Sequence, residues 1–211
     1  MIHNLFSTPI FKTKIDPQLY DKESIIKTCK ENYEKNPYHN YWDSVSDLHH
    51  YHRDLSNGPD LKSLGVVYGK ILNEYMASIS GDFKYRWNII NLAVNSKYMK
   101  AHDHFYRQDG WQGMFGGIHH ISYDEELHSP TKFLNPLIFS QYSHNTHDMS
   151  VKLDKSDINN SAYYPDATMD VKEDDIIIFP SYLKHIVENG VKKESDKPRI
   201  VCVIDIKWKI L

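Results

Sequence analysis

Cysteine is scarce in this sequence, with only Cys29 and Cys202 among 211 residues. Two cysteines cannot build a disulfide scaffold, and they are too few for a cysteine-based zinc site. Cys202 lies in an apolar stretch, where a buried free thiol is common.

Long apolar runs and basic clusters are also missing. No run approaches the roughly 20 residues needed to span a bilayer. Residues 1–6 lack the basic start and apolar core of a signal peptide. We therefore expect a soluble, cytoplasmic protein with no membrane partner. The net charge of −3, without a Lys and Arg cluster, argues against nucleic-acid binding through a broad basic face.

Histidine and tyrosine, by contrast, are abundant, with 13 and 15 copies. Histidine is the commonest protein ligand for first-row transition metals. The positions of the histidines therefore carry most of the functional information.

The pattern of apolar residues divides the chain into two parts, which we interpret as one domain over residues 1–211. Residues 1–80 are predicted to be mostly helical, because residues 24–33 and 61–76 repeat apolar side chains every three or four positions. Residues 84–211 are predicted to form a β-sandwich or barrel core. Its candidate strands are residues 87–94, 98–105, 114–123, 131–133, 137–142, 176–179 and 199–208. The polar residues 143–165 are interpreted as a rim or lid.

A candidate metal site begins with His102 and His104. Alternate residues of a strand point to the same side, so the two imidazoles would lie side by side while Asp103 faces away. Two imidazoles can bind iron(II), zinc or manganese at about 2 Å, but they need a third ligand from elsewhere.

His185 is the candidate third ligand, because it follows an acidic turn, a buried strand and a proline break. Arg199 stands at the head of the last strand, and a hairpin between these two strands would bring its guanidinium near the metal. A guanidinium there suits a carboxylate. The alternatives are that His185 is an ordinary loop histidine and that Arg199 neutralises Asp196 or another surface carboxylate.

The other histidine groups are expected to be surface residues: His49, His50 and His52, His119 and His120, and His144 and His147. His120 is the exception that could line the pocket. Trp111 and Phe115 are expected in the core or pocket wall, and Tyr163 and Tyr164 could contact substrate.

Taken together, these motifs resemble those of the 2-oxoglutarate- and iron(II)-dependent oxygenases. Within that superfamily they are most similar to a small family found in bacteria and phages. The resemblance covers nearly the whole chain. Its segments are residues 4–10, the His102–His104 pair, the glycine-rich strand that follows it, residues 129–136, residues 173–185 and residues 198–200.

The resemblance implies a double-stranded β-helix, or cupin-like jelly roll, with the N-terminal helices packed on the larger sheet. It also implies iron(II) bound by His102, His104 and His185, with 2-oxoglutarate paired to Arg199 and O2 as co-substrate. The expected reaction hydroxylates a small-molecule or peptide substrate and releases succinate and carbon dioxide.

Two positions depart from the usual superfamily pattern. Most members use His-x-Asp or His-x-Glu where this chain has His104, which leaves open a role for Asp103 or for a carboxylate elsewhere in the chain. Many carry a serine two residues after the arginine, where this chain has Val201. Tyr98, on the same predicted strand face as His102, is the candidate replacement hydroxyl for 2-oxoglutarate.

Two other functions remain open at this stage. A cupin-type three-histidine dioxygenase would bind its substrate directly on iron, without a 2-oxo acid. A non-catalytic jelly-roll protein would use the histidines for a structural metal or for none. The sequence also leaves open whether the chain forms a homodimer.

Overall fold

The computed structural model describes residues 8–35, 48–50, 58–95, 99–136, 154, 164, 166–188, 191–193 and 195–210. Within them lie a short 3-10 helix, Pro17–Leu19, and two α-helices, α1 (Lys22–Lys35) and α2 (Lys62–Ala77). Both predicted helices are confirmed. Neither α-helix in this part of the chain is long and apolar enough to cross a membrane.

The strands form two antiparallel sheets. The larger sheet contains β1 (Phe11–Lys14), β2 (Leu48–His50), β3 (Phe83–Asn95), β5 (Arg107–Gln108), β6 (Trp111–Ser122), β9 (Asp175–Pro180) and β11 (Arg199–Ile210). Its order is β1-β9-β6-β11-β3-β2, with β5 paired to β6. The smaller sheet contains β4 (Met99–His102), β7 (Lys132–Leu134), β8 (Asp166–Thr168) and β10 (His185–Val187), in the order β4-β10-β7-β8.

Alternation along β9 shows how the layers are built. Ile176 and Ile178 join the core between the helices and the larger sheet, whereas Ile177 and Phe179 join the core on the sheet's other face. All four are buried, and each such side chain contributes about 1.5–3 kcal/mol when removed from water. The helices therefore cover one face of the larger sheet, as expected.

The last strand follows the same rule. Ile200, Cys202, Ile204 and Ile206 pack toward the helices, and Val201 packs on the inner face. The last strand therefore has two faces, each in a different part of the core, because successive side chains of a strand point to opposite sides.

Two details of the expected strands are wrong. The strand before His185 does not form a hairpin with the last strand, because β6 lies between β9 and β11. The strand predicted over residues 98–105 is shorter, since β4 ends at His102. Residues 137–142 and all of 143–165 except Asp154 and Tyr164 lie outside the described residues.

Candidate metal centre

Two of the three predicted ligands lie on neighbouring strands of the smaller sheet. His102 ends β4 and His185 begins β10, and the two are direct cross-strand partners. Their ring centroids are 4.2 Å apart. Backbone pairing alone thus brings together two histidines that are far apart in sequence.

His104 reaches the same place by a different route. It follows the end of β4, and its backbone N–H donates to the Ser181 carbonyl over 2.9 Å. This segment passes so close to β6 that a Cβ on Gly113 would lie 2.5 Å from the His104 carbonyl oxygen. A Cβ on Gly116 would meet the Phe179 ring at 3.1 Å. The glycine-rich strand therefore permits the close approach of the histidine segment.

The three histidines form a cluster suited to one metal ion. One ring nitrogen from each of His102, His104 and His185 lies within 4.8 Å of the others. The Nδ1 atoms contact the Lys100 carbonyl at 2.9 Å, the Asp205 carboxylate at 2.7 Å and the Leu183 carbonyl at 3.2 Å, respectively. Because these acceptors hold the proton on Nδ1, Nε2 is the nitrogen left to bind a metal.

Burial favours the neutral form of His185. His104 and His185 are 7% and 1% exposed, and His104 Nε2 is buried without a hydrogen-bond partner among the described residues. Burial lowers the pKa of His185 well below its usual value, and the neighbouring His102 and His104 lower it further. Neutral imidazole is the form that coordinates metals, so the residues present fit a divalent first-row ion.

An aromatic wall lies against the cluster. The Phe179 ring is 5.0 Å from the His185 ring and 4.9 Å from the Phe133 ring, in edge-to-face geometry. Such packing limits the rotamers of His185 and keeps water from that side of the site.

Asp205 was missed by the sequence reasoning. It lies on β11 of the larger sheet, 3% exposed, and its second carboxylate oxygen accepts a hydrogen bond from the Tyr106 hydroxyl. An aspartate between Ile204 and Ile206 in a buried strand was the available signal, because buried carboxylates need partners.

Arg199 lies at the start of β11 and is 1% exposed, whereas Asp196 is exposed. Its Nε donates to the Ser129 carbonyl over 3.1 Å, and Nη2 donates to Thr131 Oγ1 over 3.3 Å. Burial lowers its pKa to about 10, which leaves it charged at neutral pH. Arg199 therefore places a positive charge inside the protein rather than on its surface.

Asp103 does not join the cluster. Its side chain is exposed, and its carboxylate accepts the Phe105 backbone N–H over 3.2 Å. Tyr98 lies outside the described residues, so its assignment stays a prediction.

His119 and His120 are buried, and the expectation that they lie on the surface is wrong. His119 Nδ1 is 2.8 Å from the Tyr68 hydroxyl on the helix side. His120 pairs across the sheet with Val201 and has Arg199 among the charges that lower its pKa. It therefore lies near Arg199.

The other aromatic residues and histidines named from the sequence are partly within the described residues. Phe115 is buried in the core against Tyr75, and Trp111 is half-buried beneath the Arg86 guanidinium. The Tyr164 backbone carbonyl accepts from Asn135. The side chains of His49 and His50, and all of His52, His144, His147 and Tyr163, lie outside the described residues.

Solved structures of several oxygenases superpose on most of this chain. A prolyl hydroxylase from Trichoplax adhaerens, in complex with a hypoxia inducible factor oxygen degradation domain peptide, superposes with a TM-score of 0.53 at 10% identity, covering 92% of this chain and 82% of that one. The carbocyclase SnoK from nogalamycin biosynthesis, a non-heme alpha ketoglutarate dependent enzyme, gives 0.57 at 12% identity, covering 96% and 80%. A viral collagen prolyl hydroxylase from Paramecium Bursaria Chlorella virus-1, in its 2OG complex, gives 0.50 at 13% identity, covering 93% and 94%.

The chain has the fold of the 2-oxoglutarate- and iron(II)-dependent oxygenases. The predicted double-stranded β-helix is thereby confirmed. No protein-family model matches the sequence, and no curated protein matches it either. At such low identity the likeness establishes the fold, and the function has to be argued from the site itself.

Proposed function

We propose that this protein is an iron(II)- and 2-oxoglutarate-dependent dioxygenase that hydroxylates an organic substrate. The observation that carries the proposal is the convergence of His102, His104 and His185 between the two sheets of a fold used by such oxygenases. His102, His104 and His185 would hold the iron, which would then be able to bring a 2-oxo acid and O2 together.

The three histidines would hold the iron through Nε2. Each ring has a protein acceptor for its Nδ1 proton, so its orientation is set before any metal arrives. Neutral imidazole ligands release no proton on binding, and preorganised geometry reduces the cost of ordering them.

Arg199 would bind the distal carboxylate of 2-oxoglutarate. Its buried guanidinium offers a planar set of donors that matches a carboxylate. Thr131 would add a second donor, because its hydroxyl accepts from Arg199 and keeps its own proton free to donate. Thr131 thus offers a hydroxyl at the subsite where Val201 offers none.

When bound, iron supplies the oxidative chemistry: one oxygen atom of O2 enters succinate as 2-oxoglutarate loses carbon dioxide, and the other becomes the hydroxyl of the product. The chain's own residues orient the two co-substrates and exclude water. Phe133 and Phe179 form a wall that keeps bulk solvent away from the buried histidines.

One observation favours a second candidate, a cupin-type three-histidine dioxygenase that needs no 2-oxo acid. The group of candidate metal ligands among the described residues contains no carboxylate. The buried Arg199 favours the first candidate, because its planar donors match the distal carboxylate of 2-oxoglutarate, which the cupin reaction does not use.

Oxygen uptake by the iron-loaded protein separates these functions. The proposal predicts slow uptake without substrate that requires 2-oxoglutarate and forms succinate in step with it. A His104→Ala variant, loaded in the same way, is the control for free iron. Uptake that is unaffected by 2-oxoglutarate would favour the cupin reaction, and absence of metal binding would favour a non-catalytic role.

A further inference from the structure

Three neutral imidazoles would leave the positive charge of a bound metal ion unbalanced at the candidate metal centre. A divalent ion bound by them keeps its full double positive charge in a site that is largely removed from water. Charges in such surroundings are costly unless an opposite charge lies close by. A carboxylate near the metal is therefore expected on physical grounds, although none belongs to the ligand cluster.

Asp205 lies where such a carboxylate is needed. Its Oδ1 is 2.7 Å from His104 Nδ1, and the two side chains are 5% and 7% exposed. The contact joins the larger sheet to the segment that carries the ligand, across 101 residues of sequence. Because a carboxylate only accepts, the ring must carry its proton on Nδ1 and turn Nε2 toward the cluster.

Tyr106 holds the carboxylate from its other side. Its hydroxyl donates to Asp205 Oδ2, and burial together with this bond raises the pKa of Tyr106. Lys207 Nζ lies 4.5 Å above the Tyr106 ring, where a cation is attracted by the ring face. Both carboxylate oxygens are thus engaged, which fixes the position of the negative charge.

We propose that Asp205 is a positioning residue that fixes the metal-binding tautomer of His104 and supplies, through this hydrogen bond, the negative charge that the three ligands lack. The inference rests on the proposed metal site. A carboxylate–imidazole–metal arrangement also makes the imidazole a stronger donor, and loss of such a partner costs about 10–100-fold in metal affinity.

A competing explanation is an ordinary buried ion pair between a protonated His104 and Asp205. In that case Nε2 would be a buried N–H, and it has no acceptor among the described residues. A bare Nε2 lone pair facing two further histidine nitrogens accounts for the same observation without an unsatisfied donor.

Asp205→Asn tests the proposal with little change in size. We expect its affinity for cobalt(II), measured by anaerobic titration, to fall about 10–100-fold. The affinity of the metal-saturated variant for the dianionic 2-oxoglutarate should not fall, because the site becomes more positive. A purely structural disturbance would weaken both. Asp103→Asn is the matched control, since it removes the same charge from an exposed residue beside His104, and its cobalt(II) affinity should stay unchanged.

Two further measurements keep the test decisive if Asp205→Asn folds poorly. Tyr106→Phe removes one hydrogen bond from a half-exposed ring and should weaken cobalt(II) binding several-fold. Nitrogen-15 NMR of the zinc-loaded wild type should show His104 protonated on Nδ1. Unchanged cobalt(II) affinity in a folded Asp205→Asn protein, or a proton on Nε2, would overturn the inference. A wild type that binds no metal would instead overturn the proposed function.

Discussion

His102 and His185 are cross-strand partners, and their ring centroids lie 4.2 Å apart. This pairing would make metal binding a property of the folded sheet, since neither histidine would need to move far to reach a shared ion. His185 is also 1% exposed and packs on Phe133 and Phe179, so it belongs to the core rather than to the barrel mouth.

We expect His185→Ala to abolish metal binding and to lower the free energy of unfolding by about 1–3 kcal/mol, because it empties a buried position. Equilibrium unfolding in urea and a cobalt(II) titration measure the two effects separately. Phe133→Leu should cost similar stability yet keep the three ligands. Retention of wild-type metal affinity in His185→Ala would contradict the ligand assignment.

His104→Ala and Asp103→Ala distinguish the two candidate ligands in the segment after β4. The first should abolish iron binding, because it removes a buried ring nitrogen from the cluster. The second should leave iron affinity within about twofold, because Asp103 is exposed and bonds to a backbone N–H. Anaerobic iron(II) titration of both variants checks this ranking. The reverse ranking would identify the carboxylate as the ligand.

Arg199→Ala should weaken 2-oxoglutarate binding by about tenfold to a few hundredfold, because charge-assisted hydrogen bonds contribute about 1.5–3 kcal/mol. Metal affinity should change little, since the guanidinium is not a ligand. Arg199→Lys should recover part of the loss, and Thr131→Val should cost less than Arg199→Ala. Calorimetry on the metal-loaded proteins measures all three, and equal affinity in Arg199→Ala and wild type would remove the main reason to prefer a 2-oxo acid.

The metal-free protein should lose stability as the pH falls below about 6.5. Burial lowers the pKa of His119 and of His120 to about 3, so both stay neutral in the folded protein while the unfolded chain takes up protons. The unfolded state then binds more protons, and the free energy of unfolding decreases between pH 6.5 and 3. From pH 7.5 to 5.5 the pair contributes a loss of about 2–3 kcal/mol.

Urea unfolding at these two pH values, with a chelator present, checks this pH dependence. His119→Gln removes one titrating group beside the Tyr68 hydroxyl and should reduce the pH-dependent loss by about 1–1.5 kcal/mol, half of what the pair contributes. An identical pH dependence in the variant and the wild type would show that His119 is not the source.

The sequence predicted which three histidines lie together better than it predicted how the chain brings them together. His102, His104 and His185 do converge, and both predicted helices form as α1 and α2. The strand thought to carry both His102 and His104 ends at the first of them. His104 is placed instead by a backbone bond to Ser181, which periodicity does not reveal.

Other features depended on contacts distant in sequence. The hairpin between β9 and β11 was wrong because a buried apolar strand has no pattern that selects its neighbour, and β6 takes the place between them. The role of Asp205 could not be predicted from the sequence, because its partner, His104, lies 101 residues away. An aspartate in a buried strand can be recognised as unusual from the sequence, but only the fold shows which group its carboxylate contacts.

An anaerobic titration of the untagged protein with iron(II), followed by 2-oxoglutarate, tests most directly whether the three histidines hold an iron that binds a 2-oxo acid. Chelation of a 2-oxo acid by iron(II) produces a weak visible metal-to-ligand charge-transfer band. We expect this band to appear with one iron per chain in the wild type and to be absent in His104→Ala. If one iron binds per chain but saturating 2-oxoglutarate produces no band, the protein is not a 2-oxoglutarate-dependent dioxygenase. The cupin-type three-histidine dioxygenase would then be the better-supported function.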